Sequence, residues 1–209
     1  MGAGGSGRPC RRAGGRSGSP HTHGGRPFAT AAAGRTVLLV WHSRTGLAEQ
    51  MADALEQGAL AVAAELEAAD FRLVRRKAAE ATTDELLGAD GYLFCAPENL
   101  ASLSGEMKEF FDRCYYQAFA SRGGGDEVSL LLGRPVGVAI AAGSDGSGAA
   151  RQVERICRGW RLRPVGPALV QRNGLEQTRE NILAPKQISA EAREACRELG
   201  GLVAATVLL

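Results

Sequence analysis

The chain has 209 residues, 44% of them hydrophobic and 23% charged, with a formal net charge of +2. That length can bury a full core in one domain and allows two at most, and the balance is that of a globular protein. The positive sign excludes little: five arginines and no acid precede Gly34, so residues 35–209 carry 20 cations against 23 acids, and the charge is no argument for nucleic-acid binding.

Residues 1–34 are mostly Gly, Arg, Ser and Ala, interrupted by Pro9, Pro20 and Pro27. With so little to bury they are expected to be a disordered tail, leaving residues 35–209 as the domain. His21 and His23 in that tail lack the further ligands a metal site requires, so no metal is expected. The apolar run 37–41 predicts a strand over 37–42 covered on both faces, followed by a helix from Leu47 to about residue 69 with Met51, Leu55, Leu60, Val62 and Leu66 along one side. A short strand is expected over 71–74, ending in Arg75-Arg76-Lys77. Thr82-Thr83-Asp84-Glu85 reads as a helix start.

A third strand, 91–96, stops at Pro97. After a loop to Ser104, a helix is expected over 105–120, with Met107, Phe110, Phe111 and Cys114 at helical spacing. Strand four covers 135–142, helix four 148–160 and strand five 168–171. A last helix begins at Ser189-Ala190-Glu191-Ala192, a capping arrangement. Strands that are near-continuous hydrophobic runs, each followed by a helix or loop, describe an α/β sheet wound on both faces.

The five cysteines, Cys10, Cys95, Cys114, Cys157 and Cys196, form no C-x-x-C pair and read as reduced thiols of a cytoplasmic protein. No apolar stretch approaches the roughly 20 residues of a membrane span, and no apolar signal core opens the chain. Cys95 reads as a small buried residue rather than a redox thiol, and Trp41 and Tyr92 as core.

In a doubly wound sheet the strands' carboxyl ends share one edge, where ligands bind. Three of those ends are unusual: Ser43-Arg44-Thr45-Gly46 after strand one, Pro97 to Gly105 after strand three, and Gly143-Ser144-Asp145-Gly146-Ser147-Gly148 after strand four. The first, taken alone, is either an ordinary capped turn or a phosphate seat, because amides freed at a helix start point beyond the strand. No G-x-x-x-x-G-K-[ST] occurs, and the Gly143 loop has the wrong spacing and strand for a dinucleotide fingerprint. One phosphate at the first turn and a flat polar-edged group between the other two loops remain. His42 with Ser43 is no hydrolase pair, since G-x-S-x-G is lacking.

The stretches His42-Ser43-Arg44-Thr45-Gly46-Leu47, Ala96-Pro97-Glu98-Asn99 through Ser104-Gly105-Glu106-Met107-Lys108-Glu109-Phe110-Phe111-Asp112-Arg113, and Gly143-Ser144-Asp145-Gly146 together resemble the flavodoxin-like FMN-binding superfamily. The match is nearest its NAD(P)H-dependent FMN reductase and quinone reductase branch, over residues 36 to about 170. The resemblance implies a flavodoxin-like three-layer sandwich, a five-stranded parallel sheet of order 2-1-3-4-5 with helices on both faces. It implies that Ser43, Arg44, Thr45, Gly46 and Leu47 wrap the FMN phosphate. Pro97, Glu98, Asn99, Leu100 and Ser102 would line the isoalloxazine edge, with Gly143, Ser144, Asp145 and Gly146 opposite.

The resemblance further implies an oxidoreductase that passes electrons from NADH or NADPH through FMN to a quinone or similar small acceptor. No side-chain nucleophile is needed; Glu98 is placed to assist proton transfer. The alternative is a flavodoxin-type electron carrier, against which the mild net charge of −3 over residues 35–209 argues, or the same fold with an empty site. One departure is that Leu100 and Leu103 stand where flavodoxins commonly place aromatics, which would leave one ring face more open. The resemblance leaves room for a homo-oligomer.

Overall fold

A computed structural model describes Met1, residues 35–121 and residues 127–209. Apart from Met1, the tail expected over 1–34 lies outside the described residues, as does the glycine run 123–125. In chain order the elements are β1 (Thr36–Trp41), α1 (Leu47–Glu65), β2 (Arg72–Lys77), α2 (Thr83–Gly88), β3 (Gly91–Asn99), β4 (Ser102–Leu103), α3 (Gly105–Cys114), a 3-10 turn (Tyr116–Ala118), β5 (Phe119–Ser121) and β6 (Glu127–Ser129). There follow β7 (Pro135–Ala142), α4 (Ser147–Gly159), β8 (Arg163–Pro164), β9 (Leu169–Arg172), α5 (Arg179–Leu183) and α6 (Ala190–Leu208).

The main strands run parallel in the order β2-β1-β3-β7-β9, with β8 also alongside β7. This is the flavodoxin-like order expected from the sequence, counted over the five principal strands. Period-two alternation sends Leu38, Val40, Tyr92, Phe94, Val136, Val138 and Ile140 to one face, against Leu86, Met107, Phe110, Phe111, Val153 and Trp160. Val37, Leu39, Trp41, Leu93, Cys95 and Ala139 go to the other, against Met51, Leu55, Cys196 and Val203. Helices therefore cover both faces, with α1 and α6 forming one layer.

Four boundaries differ from expectation, each for a local reason. Strand β2 carries through Arg75-Arg76-Lys77 because it is an edge strand, where charged side chains are tolerated. Arg75 pairs with Asp53 at 2.7 Å and Glu56 at 2.8 Å on α1 and lies 4.9 Å over the Trp41 ring. Helix α1 stops four residues early: Glu67 turns left-handed at φ 51°, and the Ala68 N–H donates back to Ala63 O at 2.9 Å. Strand β3 runs past Pro97 into a hairpin with β4, since Pro97 still pairs with Ala141 and its carbonyl accepts the Ser104 N–H. Helix α3 ends at Cys114, because the Tyr115 carbonyl accepts from Trp160 Nε1 at 3.2 Å and from the Ala118 N–H of the 3-10 turn.

The apolar stripe expected on α1 is also corrected. Leu60 and Leu66 are exposed, and the buried face runs through Met51, Leu55, Gly58, Ala59 and Ala63. Close approach of α6 decides this: a Cβ on Gly58 would sit 1.9 Å from Arg197 O. Small residues let the two backbones meet, so the larger apolar ones are turned outward. At the other end of α1, Cys95 donates to Ala48 O at 3.2 Å in full burial, and that burial drives its thiol pKa well up. Cys95 is thus a core residue, as read from the sequence, and Trp41 and Tyr92 are core with it.

Candidate functional site

Register places the carboxyl ends of β1, β3 and β7 level: Trp41 is opposite Cys95, Cys95 opposite Ala139, and Pro97 opposite Ala141. A cavity of about 370 Å³ opens there, inside the size range of small-ligand sites. Its lining includes Arg44, Thr45, Leu47, Glu98, Asn99, Leu100 and Gly143, seven of the fourteen residues the sequence singled out, drawn from all three loops. A wider groove of about 930 Å³ lies between α1 and α6, bordered by Gly58 and Leu202. It is remote from the strand ends, where this architecture binds ligands.

Gly46 is the N-cap of α1 in a left-handed conformation (φ 91°), and no side chain caps the helix. The Ser43 hydroxyl accepts the Gly46 N–H at 3.1 Å, which shapes the turn and leaves the following first-turn amides without a capping side chain. Such an end favours an anion, and Arg44 on the cavity adds a cation. This donor set fits a phosphate.

The remaining seven residues do not line the cavity. Ser43 and Gly46 are used in the turn just described. Pro97 is inside the sheet. Ser102 lies in β4 and accepts from Gln152 Nε2 at 3.4 Å. Asp145 accepts from the Ser147 N–H and hydroxyl at the start of α4, and those bonds hold its carboxyl below the usual range. Ser144 is exposed beside it. Gly146, the N-cap of α4, donates its N–H to Glu98 Oε2 at 2.8 Å.

That last bond gives Glu98 a holding role between two loops. The β3–β4 hairpin tip is under strain: Leu100 and Ala101 both have positive φ, 52° and 59°, where Asn-Gly would be at ease. Gly148 lets the tip come close, since a Cβ there would lie 2.2 Å from Ala101 O. Leu100 is thrust fully into solvent at the cavity, whereas Leu103 turns inward at 5% exposure and packs with the core. The expected pairing of two leucines beside a ligand is therefore corrected to Leu100 alone. Leu103 points inward because β4 pairs it with Glu98 and its N–H donates to Gln152 Oε1.

His42, just before the first loop, joins it to the start of α3. Its Nδ1 is 2.9 Å from Ser104 Oγ and its Nε2 3.2 Å from Glu106 Oε1. Burial holds its pKa below 6.5, with Arg44 adding to the effect and Glu106 opposing it. A neutral ring with the proton on Nε2 satisfies both contacts, the Ser104 hydroxyl donating to Nδ1. Ser104 is wholly buried, so this trio offers no accessible nucleophile.

Sequence reasoning missed a fourth side of the cavity. Asn173, Gln177, Ile182, Leu183 and Lys186 line it from the segment between β9 and α6. A start signal for α5 was present: the Thr178 side chain accepts the Asn181 N–H at 3.3 Å as an N-cap. Lys186 gave no signal at all.

Residues 18–174 match the model of the NADPH-dependent FMN reductase family. The chain belongs to that family. Among relatives of this FMN reductase family member, a flavodoxin of Aquifex aeolicus is 31% identical over 109 residues, which are 46% of this chain and 56% of that protein. An NAD(P)H dehydrogenase (quinone) of Acidithiobacillus ferrooxidans is 33% identical over 91 residues, 37% of this chain and 46% of that one. The chain spans about half the length of these curated relatives. Among solved structures, an archaeal flavodoxin superposes with TM-score 0.61 at 14% identity, covering 83% of this chain and 99% of its own. A flavodoxin, WrbA-like protein from Agrobacterium tumefaciens gives 0.53 at 16%, covering 83% and 98%. At such identities these two show the fold.

Proposed function

We propose that this FMN reductase family member is a flavoprotein oxidoreductase that binds FMN and passes electrons from NADH or NADPH to a quinone or similar small acceptor. The observation that carries the reading is the 370 Å³ cavity at the strand ends, with the uncapped first turn of α1 and Arg44 at one end and Glu98, Asn99, Leu100 and Gly143 along its walls. Family membership and the two curated relatives support it.

FMN, when bound, would supply the redox chemistry between nicotinamide and acceptor. The chain's own residues bind and orient. The first-turn amides of α1, with the Thr45 hydroxyl and the Arg44 guanidinium, hold the phosphate. Backbone groups from Glu98 to Leu100 would meet the polar edge of the ring, and Gly143 would let the main chain stand close on the other side. Glu98 acts by holding Gly146 in place, keeping the two walls at a fixed separation.

A purified sample tests this directly. A flavin spectrum that survives desalting, bleaches with NADH or NADPH and recovers with a quinone is the expected result. A colourless chain that takes up no added FMN overturns the binding. A flavin-loaded chain inert to both nicotinamides favours an electron carrier like the flavodoxin relative.

A further inference from the structure

The segment after β9 crosses the cavity and is tied down on both sides. The Asn173 N–H donates to Ala142 O at 2.9 Å and Gln177 Nε2 to Gly143 O at 3.0 Å, fixing its start to the end of β7. Its end is fixed to the first loop: the Lys186 N–H donates to Thr45 O at 2.8 Å, and Gln50 Nε2 donates to Lys186 O at 2.8 Å. Between these ties lies α5, five residues long and far too short to persist by helix formation alone.

Thr178 caps its start, and Lys186 fastens its carbonyl end. The residue is 4% exposed, and its ammonium donates to the carbonyls of Asn181, Ala184 (2.5 Å) and Ile182 (3.5 Å). Three protons meeting three carbonyls use the whole donor capacity of the group, at the carbonyl end of α5 where a cation is favoured. Among the described residues no carboxylate pairs with it. A buried charge is costly, and a fold keeps one where its hydrogen bonds hold something in place.

The held piece presents apolar surface to the cavity. Ile182 is 52% and Leu183 71% exposed, and both line the cavity together with fully exposed Leu100. Three aliphatic side chains left uncovered around one polar-ended cavity are the complement of a flat ring, and among the described residues no aromatic side chain lines it.

Resting on the FMN reading above, we propose that residues 173–188 form a strap that covers the isoalloxazine, with Ile182 and Leu183 as its apolar cover and Lys186 as the positioning residue that fastens the strap. The aliphatic cover replaces the aromatic one common in flavodoxins. Because Ile182 and Leu183 carry no charge, their cover strengthens binding of FMN and of riboflavin alike.

The test compares FMN and riboflavin affinities, by quenching of flavin fluorescence, for the wild-type chain, Lys186→Met and the double variant Ile182→Ser/Leu183→Ser. The double variant changes only exposed side chains and keeps the fold in play should Lys186→Met fold poorly. Both variants are expected to bind both flavins about tenfold more weakly, the effect of losing a few methyl-sized contacts. The visible band of bound flavin should lose fine structure, and trypsin should cut the flavin-free Lys186→Met chain faster after Arg179. Unchanged affinities in the double variant overturn the cover. A loss in Lys186→Met confined to FMN makes Lys186 a phosphate partner and overturns its role as fastener. A wild-type chain that binds neither flavin overturns the FMN reading and the strap's function with it, whereas wild-type binding with unaltered variants overturns the strap alone.

Discussion

The carboxylate of Glu98 accepts the backbone N–H of Gly146 at 2.8 Å, joining the hairpin after β3 to the first turn of α4. The two loops are 48 residues apart in sequence, and both border the cavity. Glu98→Gln keeps the shape and weakens a charge-assisted bond to a neutral one, a loss of about 1 kcal/mol. FMN affinity should fall about fivefold, since 1.4 kcal/mol corresponds to about tenfold. Turnover should keep its pH dependence. A change in the pH profile with FMN affinity intact would instead give Glu98 the proton-transfer role expected from its position in the loop.

The strained tip next to it makes a sign test. Ala101 sits at φ 59°, a conformation that costs an L residue roughly 1–2 kcal/mol and glycine almost nothing. Ala101→Gly should therefore stabilise the chain by about 0.5 kcal/mol after glycine's extra unfolded-state entropy is subtracted. The same change at exposed Ala61, inside α1, should cost about 1 kcal/mol. Thermal melts of the two variants moving in the same direction would contradict the tip geometry.

How much of this was legible in the sequence follows from where the determining contacts lie. Strands β1, β3 and β7 announce themselves because each is buried on both faces, so nearly every side chain is apolar. Arg44, Thr45 and Leu47 reach the cavity because a strand-to-helix turn is a local structure. The strap is illegible for the opposite reason. It has no apolar period, and its position rests on contacts such as Gln50 with Lys186, 136 residues apart. The Leu100-Ala101 tip lacks the Asn-Gly that marks a tight hairpin, and Leu103 faces inward only because of pairing that the hairpin creates.

His42 links pH to the geometry of the first loop. Its pKa lies below 6.5 in the folded chain because burial disfavours the imidazolium, so the unfolded chain takes up the proton first as pH falls. The contribution of His42 to stability is full above pH 6.5, is lost as pH falls from there to the folded value, and is flat below it. His42→Gln cannot titrate. Denaturant melts from pH 8 to pH 5 should show the wild type losing stability relative to the variant only below about pH 6.5, the ordinary His value. A gap between the two that stays constant across the range would show that the ring remains as easily protonated in the fold as outside it.

Arg44 separates the phosphate end of the cavity from the ring end. It is exposed, lines the cavity and makes no ion pair among the described residues, and the amides of the first turn of α1 lie directly after it in the chain. An exposed cation facing a phosphate contributes about 1 kcal/mol, or roughly fivefold in affinity, and the gain is screened by salt. Arg44→Gln should weaken FMN by roughly three- to tenfold in low salt and much less near 1 M salt, where the screening length drops to about 3 Å. Riboflavin, which has no phosphate, should bind the variant and the wild type equally. The helix amides do not change in this variant, so residual preference for FMN over riboflavin measures their share. Equal losses for the two flavins would move Arg44 to the ring and leave the first turn of α1 to hold the phosphate without it.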